Sequence, residues 1–359
     1  MRSLLHFHRA KALLAAAATA TTMLSGQPAH ADATSPPTLT DGHGLTQVGT
    51  ATGTATNFVI TVTTPQVAGR HHIKIILPSG YDDDPARRYP VLYFLHGSPD
   101  DPIYQTYPAL TTSNSMITVI PDGGLRGWYT NWLDQTTAAG AQNWENFHID
   151  QVIPFIDDNL RTIATKNGRA IAGVSMGGFG ALHYAQDHPE LFSQVATFSG
   201  ADDISRDEAV IRAAVLVTET NVGAPLCGLA SGSSATCSLN FGPTVSSDAI
   251  FGSPYPVFDD HRWNDADPST HMDKLAGMGI SLYTGNGQGN GYNTAEEFWV
   301  ESASVHVREH LDAFGMPYYF VDYGDGSTWG TDCGGGHNGN CWEQDLVDYI
   351  PRLEQAFAS

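Results

Sequence analysis

The chain has 359 residues, of which 41% are apolar and 10% aromatic, and it carries 17 basic against 38 acidic residues. This composition is sufficient for a sizeable core and excludes a globally disordered chain. The net charge of −21 disfavours binding to nucleic acid or to anionic membranes, so we expect a globular protein with no nucleic-acid partner.

The first 31 residues have the pattern of a secretory signal peptide. The pattern consists of a basic start at Arg2, Arg9 and Lys11, an apolar segment at 12–24 and a small-residue cleavage site at 29–31. The apolar segment is too short to span a bilayer, which disfavours the alternative of a retained anchor. Cleavage leaves 14 basic and 38 acidic residues, a net charge of −24. The sequence therefore predicts a secreted, extracellular protein without stable membrane insertion.

The first half of the mature chain predicts a lead-in followed by strands. Residues 32–55 are rich in Thr, Gly, Ala and Pro, which is typical of a flexible segment. Alternating patterns then predict an antiparallel strand pair, and two continuous apolar runs predict central strands. These four predicted strands are residues 58–64, 71–77, 90–96 and 116–121. Helical spacing follows over residues 143–163.

The second half alternates strands with helices. Predicted strands cover residues 170–173, 194–199, 280–284 and 317–323, and predicted helices cover residues 181–186, 293–314 and 342–357, with a kink at Pro351. Residues 201–275 have no clear periodicity and predict an insertion near the site. This alternation predicts a single α/β domain over residues 56–359, with a mostly parallel central sheet and helices on both faces.

Ser175 lies at the turn between a predicted strand and a predicted helix, in the stretch GVSMGG. Glycines on both sides permit a sharp turn and close packing of the helix on the strand. The start of the helix directs amide groups toward negative charge beside the serine oxygen. This context favours a nucleophilic serine over the alternative, a purely structural turn.

A nucleophilic serine needs an imidazole base and a carboxylate that orients it. His337 follows the last predicted strand, in a glycine-rich loop before the final helix, and is our candidate base. His306 and His310 are spaced to share a metal, but they lack the HExxH glutamate and a third ligand, so an ordinary helix face is favoured. We expect no metal and no cofactor.

The acid and the oxyanion donors are less clearly marked. After the predicted strand 280–284 the first carboxylates are Glu296, Glu297 and Glu301, and spacing alone does not separate them. The oxyanion of the intermediate needs two backbone amides. We expect these amides to belong to Met176, directly after the nucleophile, and to Ser98, after the strand 90–96.

Four cysteines in a secreted chain predict two disulfides. Each neighbouring pair flanks a glycine-rich loop, so the economical pairing is Cys227–Cys237 and Cys333–Cys341. The alternative of a metal site is disfavoured because no Cys-x-x-Cys spacing is present. The second bond would also fix the loop that carries His337.

From about residue 70 onward the chain resembles the esterase D group of α/β-hydrolases, and within it the secreted mycolyltransferases. The ordered marks of this resemblance are YFLHGSPDD, PDGGLRGWYTNW, WENF, GVSMGG, WNDADPSTHMDKL and LYTGNG, with a histidine five residues before Trp342. The resemblance implies an α/β-hydrolase fold with Ser175 as nucleophile and His337 as base. It places the family acid best on Glu301, counted from the downstream helix, with Glu297 in reserve.

The resemblance implies a secreted serine carboxylic ester hydrolase that works through a Ser-His-Glu triad and an acyl-enzyme. The alternative is an acyltransferase that moves the acyl group to a sugar or glycerol hydroxyl. Mycolyltransferases carry Asp-Gly-Leu-Arg where this chain has His96 to Pro99, as in plain esterases. We expect a small-molecule, lipid or glycan ester as substrate, and the aromatic residues Trp128, Tyr129 and Trp132 lie near the expected cleft.

Overall fold

The computed structural model describes residues 35–204, 243, 245–246, 248–252, 260–287, 297 and 300–359. In this part of the chain ten strands form one sheet in the order β1-β3-β4-β6-β5-β7-β8-β9-β10, with β2 paired to β3. The strands are β1 Thr46–Gln47, β2 Thr52–Gly53, β3 Asn57–Thr63, β4 His71–Ile76, β5 Val91–Leu95, β6 Ile117–Pro121, β7 Arg169–Val174, β8 Gln194–Phe198, β9 Gly279–Thr284 and β10 Tyr319–Asp322.

Helices connect and cover these strands. The α-helices are Trp144–Asn146, Ile153–Asn159, Met176–Asp187, Asp260–Ala266, Val300–Ala313 and Gly339–Ala358, and a π-helix covers Phe147–Val152. Short 3₁₀ helices cover Tyr81–Asp83, Pro102–Tyr104, Pro108–Thr111, Lys166–Gly168 and Pro268–Leu275. None of the helices in the described ranges is both long and apolar enough to cross a lipid bilayer.

The sheet is parallel from β6 to β10 and antiparallel at its N-terminal edge. The pairs β5–β6, β5–β7, β7–β8, β8–β9 and β9–β10 are parallel. The pairs β3–β4 and β4–β6 are antiparallel. All predicted strands are present, and the prediction of a mostly parallel sheet is confirmed. The carboxyl ends of the parallel strands therefore share one edge, where ligand sites of open α/β sheets lie.

Both faces of the sheet are buried, because side chains of the central strands alternate between two core clusters. On β5, Tyr93 packs in the cluster that includes the helix Met176–Asp187, and Phe94 packs in the cluster that includes the helix Gly339–Ala358. All five residues of β5 are buried, as its continuous apolar run predicts. Helices thus cover both faces of the sheet, as predicted.

The residues expected to form a flexible lead-in differ from that prediction where they are described. Thr46–Gln47 and Thr52–Gly53 pair with β3, and the side chains of Leu39 and Leu45 are buried in the core. Two short polar segments therefore form strands on β3, which offers them an unpaired edge, and the two leucines anchor this part of the chain in the core. The predicted signal peptide, residues 1–31, lies outside the described residues.

Two helix boundaries also differ from the prediction. The helix predicted over residues 143–163 ends at Asn159, and the closing helix begins at Gly339, because the Asn338 side chain accepts hydrogen bonds from two amides of its first turn. That helix continues through Pro351. Within the predicted insertion, 201–275, the described part contains Asp260–Ala266 and Pro268–Leu275.

Candidate active site

Ser175 lies between β7 and the helix Met176–Asp187, in a strained backbone conformation. Its φ of 55° and ψ of −120° lie in a region that non-glycine residues seldom adopt. Hydrogen bonds hold it there: its N–H donates to the carbonyl of Phe198, and its own carbonyl accepts from Gly178 at 2.9 Å and from Ala201 at 3.2 Å. The turn predicted around Ser175 is therefore tied to the neighbouring strand.

Glycines allow the elbow helix, Met176–Asp187, to approach the strands closely. A Cβ atom on Gly177 would lie 2.1 Å from the carbonyl oxygen of Leu95, and one on Gly173 would lie 2.2 Å from the carbonyl oxygen of Gly177. Both distances are far below van der Waals contact, and both opposing atoms are backbone. Only glycine fits at these positions without a backbone shift.

Gly177→Ala should therefore destabilise the protein. We expect a loss of about 1–3 kcal/mol in the free energy of unfolding, because the added methyl group overpacks a backbone contact. Urea unfolding followed by fluorescence measures this change. Gly42→Ala is the matched control, because its Cβ would meet no atom within 4 Å. Equal stability of the two variants would contradict the prediction.

A histidine and a carboxylate complete a chain of hydrogen bonds from Ser175. The Oγ of Ser175 lies 2.8 Å from Nε2 of His337, and Nδ1 of the same ring lies 3.2 Å from Oε2 of Glu297. The Glu297 side chain is 1% exposed and that of His337 is 15% exposed. When Nδ1 carries the ring proton and donates it in a hydrogen bond to the carboxylate of Glu297, Nε2 presents a lone pair to the serine hydroxyl.

The carboxylate at His337 belongs to Glu297, so the placement of Glu301 there was wrong. Glu301 lies one turn further along, inside the helix Val300–Ala313, whereas Glu297 precedes that helix. Because Glu297 precedes the helix, its carboxylate lies close enough to the end of β9 to contact Thr284 and Gly285. Counting positions from the downstream helix selected Glu301, which is four residues, or about one helical turn, beyond Glu297.

The second carboxylate oxygen of Glu297 is held by the end of β9. The hydroxyl of Thr284 donates to Oε1 at 3.1 Å, and the amide of Gly285 donates to it at 3.3 Å. Thr284 is fully buried. These two donors leave Oε2 directed at His337, and sequence reasoning missed their contribution. The signal was present, because both residues directly follow the strand that precedes the acid.

The loop that carries His337 is fixed at several points. Cys333 and Cys341 form the predicted disulfide across it. The Asn338 side chain accepts hydrogen bonds from the amides of Asn340 and Cys341 and donates to the carbonyl of Cys333. The His337 ring packs edge-on against Trp342, with centroids 5.0 Å apart. The other predicted disulfide, between 227 and 237, lies outside the described residues.

The two expected oxyanion donors flank Ser175. Gly97 lies beside it, since a Cβ on Gly97 would be 3.2 Å from the Cβ of Ser175, and Ser98 follows in the same loop. Met176 is the first residue of the elbow helix. Within the described ranges, no acceptor occupies the amides of Ser98 and Met176. The Ser98 hydroxyl donates to the carbonyl of Leu125, which ties the loop to the neighbouring segment.

Hydrogen bonds of buried polar residues hold the end of β5, where this loop begins. His96 is fully buried, and its Nε2 accepts a hydrogen bond from the amide of Gly123 at 2.8 Å. The hydroxyl of Tyr129 donates to the carbonyl of His96. Trp128, Tyr129 and Trp132, which the sequence placed near the cleft, are all at most 4% exposed and belong to the core. Their function is therefore to support the site from inside.

A further carboxyl group lies next to Glu297. Asp202 is fully buried and accepts hydrogen bonds from the hydroxyls of Thr197 and Ser304. Burial, together with the charges of Asp203 and Glu297, raises the pKa of Asp202 to about 7 against the opposing effect of those two hydrogen bonds. Asp202 therefore carries only part of a negative charge near neutral pH.

His148 connects the elbow helix to the segment after β6. Its Nε2 donates to the carbonyl of Asp122 at 2.9 Å, and its Nδ1 accepts from the hydroxyl of Tyr184 at 2.9 Å. Burial lowers the pKa of His148 to about 4, although the carbonyl and the charge of Asp122 oppose that shift. The ring is therefore neutral in the folded protein at neutral pH.

This neutral ring should make the protein sensitive to acid. The folded pKa lies below the ordinary value of about 6.5, so the contribution of His148 to stability is complete above pH 6.5 and is lost as the pH falls toward 4. We expect it to remove roughly 3 kcal/mol over that window. Urea midpoints at several pH values measure the slope.

His148→Gln keeps a donor and an acceptor but removes the titration, so its stability should vary less with pH than that of the wild type. His43→Gln is the control, because His43 makes an exposed pair with Asp158. Equal slopes for the wild type and His148→Gln between pH 6.5 and 4 would contradict the prediction.

The chain is similar to known esterases and acyltransferases. A model of the family described as putative esterase matches residues 64–353. Esterase Rv1288 of Mycobacterium tuberculosis is 32% identical over 253 residues, which are 68% of this chain and 50% of that protein. Diacylglycerol acyltransferase/mycolyltransferase Ag85B of Mycobacterium avium is 24% identical over 307 residues, 81% of each chain. The chain thus spans about half the length of the esterase relative and most of the acyltransferase.

The solved structure of a ferulic acid esterase has the same fold. It matches with a TM-score of 0.57 at 17% sequence identity, over 83% of this chain and 97% of its own. The mostly parallel sheet, the helices on both faces and the strand–serine–helix elbow are those of an α/β-hydrolase. The family match contains Ser175, Glu297 and His337. The chain therefore belongs to the putative esterase family.

Proposed function

We propose that this protein is a serine carboxylic ester hydrolase with the triad Ser175, His337 and Glu297. The observation that carries the proposal is the hydrogen bond of 2.8 Å between the Oγ of Ser175 and Nε2 of His337, made by a serine on a strained elbow. A structural turn requires neither the imidazole nor the buried carboxylate behind it.

In the proposed reaction, Nε2 of His337 takes the proton of Ser175 as Oγ attacks the ester carbonyl carbon. The amides of Ser98 and Met176 donate to the resulting oxyanion. Collapse of this intermediate breaks the ester C–O bond, and the imidazolium returns its proton to the departing alcohol. Glu297 orients the ring through Nδ1 and stabilises its positive charge.

Water then resolves the acyl-enzyme by the same steps in reverse. His337 takes a proton from the water as its oxygen attacks the acyl carbon, and the carboxylic acid leaves when Ser175 recovers its proton. We assign the substrate to the class of small-molecule, lipid or glycan esters.

A fluorophosphonate probe tests this proposal directly, because it reacts with serines activated by a base. Incubation of the folded protein with the probe should label the peptide that contains Ser175, as identified by mass spectrometry. Heat-unfolded protein is the control and should remain unlabelled. A folded protein that the probe does not label would instead support a non-catalytic binding protein on a hydrolase fold.

Transfer of the acyl group to an alcohol is the second candidate. The similarity to a named diacylglycerol acyltransferase/mycolyltransferase over 81% of both chains favours it. A sugar or glycerol hydroxyl would then replace water in the second half of the reaction. Product analysis with an ester donor and added glycerol or trehalose separates the two, since free acid alone argues for hydrolysis and a new ester for transfer.

Secretion is part of the same proposal. The basic start, the apolar segment and the small-residue site within residues 1–31 support removal of a signal peptide. The disulfide between Cys333 and Cys341 supports an oxidising compartment. The intact mass of the protein recovered from culture medium measures the cleavage site, and a retained residue 1 would contradict it.

A further inference from the structure

Three metal-ligating side chains meet at the end of the elbow helix that is remote from Ser175. His183 and Asp187 lie one turn apart on that helix, with Nδ1 of His183 3.6 Å from Oδ2 of Asp187. Glu145 reaches them from the helix Trp144–Asn146. One ligand atom from each of these three residues lies within 4.8 Å of the other two. His188 adjoins the group, with its Nε2 2.9 Å from Oε1 of Glu145.

Among the described residues, neither ring nitrogen of His183 has a hydrogen-bond partner. The residue is 8% exposed, its Nε2 is buried, and its Nδ1 lies 3.6 Å from Oδ2 of Asp187, beyond hydrogen-bond distance. Nδ1 is the atom that faces the cluster, and a cation between it and Asp187 would give it the partner that buried polar groups usually have. Burial also lowers the pKa of His183, which leaves the ring neutral, the form that binds a cation.

We propose that His183, Asp187 and Glu145 bind one divalent transition-metal ion of the zinc class, with water as the remaining ligand. Imidazole and carboxylate ligands bind zinc at about 2.0–2.2 Å, which keeps tetrahedral ligand atoms about 3.4 Å apart. The separation of 3.6 Å between Nδ1 of His183 and Oδ2 of Asp187 is close to this value. A small rotation of the partly exposed Glu145 side chain would bring in the third protein ligand.

Charged neighbours set the conditions for binding. Nζ of Lys274 lies 3.3 Å from Oδ1 of Asp187, the oxygen that is not needed for the ion. Glu145 and, more weakly, Glu190 stabilise the protonated form of His188, and the hydrogen bond to Glu145 is the main reason that its pKa is raised.

The ion would stabilise the fold and take no part in the reaction. Asp187 lies 12 residues after Ser175 on one helix, a distance of about 18 Å along the axis. Bound metal would join the end of the elbow helix to the helix Trp144–Asn146. No metal was expected from the sequence, because Glu145 is far from His183 and Asp187 along the chain and lies beside them only in the folded protein.

Zinc titration of the full mature protein, stripped with chelator and dialysed, tests the proposal. We expect one zinc per chain by calorimetry and a rise in Tm of about 4 °C at a hundredfold excess over Kd. Asp187→Asn and Glu145→Gln should each lose both effects while keeping the metal-free rate of p-nitrophenyl ester cleavage. Both residues are partly exposed, so their variants should fold.

Asp158→Asn is the matched control, because Asp158 also contacts a histidine, His43, and lies outside the proposed cluster. It should bind zinc like the wild type. The proposal is overturned if the wild type binds no zinc, or if a folded Asp187→Asn or Glu145→Gln variant, shown to be folded by its ester cleavage, keeps the same stoichiometry and Tm shift.

Discussion

Ser175→Ala should abolish ester hydrolysis, lowering kcat for p-nitrophenyl acetate by about 10⁴- to 10⁶-fold. The substitution removes the Oγ that lies 2.8 Å from Nε2 of His337 and leaves no other atom to form the acyl-enzyme. The strained backbone at Ser175 is held by hydrogen bonds of its own N–H and C=O groups, which alanine retains. The fold should therefore persist, and circular dichroism with urea unfolding measures this.

Ser199→Ala is the matched control for this experiment. Ser199 follows the neighbouring strand β8 and also has a positive φ, 48°, but its hydroxyl faces Tyr323 rather than an imidazole. Its rate should stay within about tenfold of the wild type. Residual turnover of the same size in Ser175→Ala and Ser199→Ala would exclude Ser175 as the nucleophile.

Glu297→Gln should lower kcat by about 10⁴-fold, whereas Glu301→Gln should change it by less than about threefold. The amide of glutamine has nearly the same shape as the carboxylate but no charge. It neither selects the tautomer with a proton on Nδ1 of His337 nor stabilises the imidazolium. Because Thr284 and Gly285 hold one oxygen of Glu297, the substituted side chain should keep its position.

The comparison is internally matched, since both residues are glutamates four positions apart and undergo the same substitution. Rates of fluorophosphonate labelling of Ser175 provide a second readout, because labelling also depends on the oriented base. A large loss in Glu301→Gln with normal activity in Glu297→Gln would contradict the geometry and return the acid to the residue that the sequence favoured.

Local patterns predicted the parts of the site that lie close together in sequence. The stretch GVSMGG predicted the turn at Ser175, because its glycines are required by contacts with Leu95 and within the turn itself. His337 was found from its place between the last strand and the closing helix, and the bond between Cys333 and Cys341 from their short separation. In each case the signal lies in a short stretch of sequence, even where the contact that requires the residue, as between Gly177 and Leu95, is long-range.

The identity of the acid depended on interactions that the sequence does not display. Glu297 and Glu301 have the same helical phase, and the choice between them depends on where the helix begins. It also depends on whether a carboxylate can reach Thr284 at the end of β9. Likewise, the sequence indicated that Tyr129 lies near the cleft but not that its ring is buried and that its hydroxyl donates to the carbonyl of His96.

The loop closed by Cys333 and Cys341 has a consequence for the way the enzyme matures. The nucleophile and the acid are positioned by the sheet and its connections, but the proposed base lies on a segment closed by a covalent bond that forms only on oxidation. Without this bond, only the hydrogen bonds of Asn338 and the packing of His337 on Trp342 would hold the loop near Ser175. We therefore expect ester cleavage to be weaker in a reducing compartment and to rise where the two thiols are oxidised.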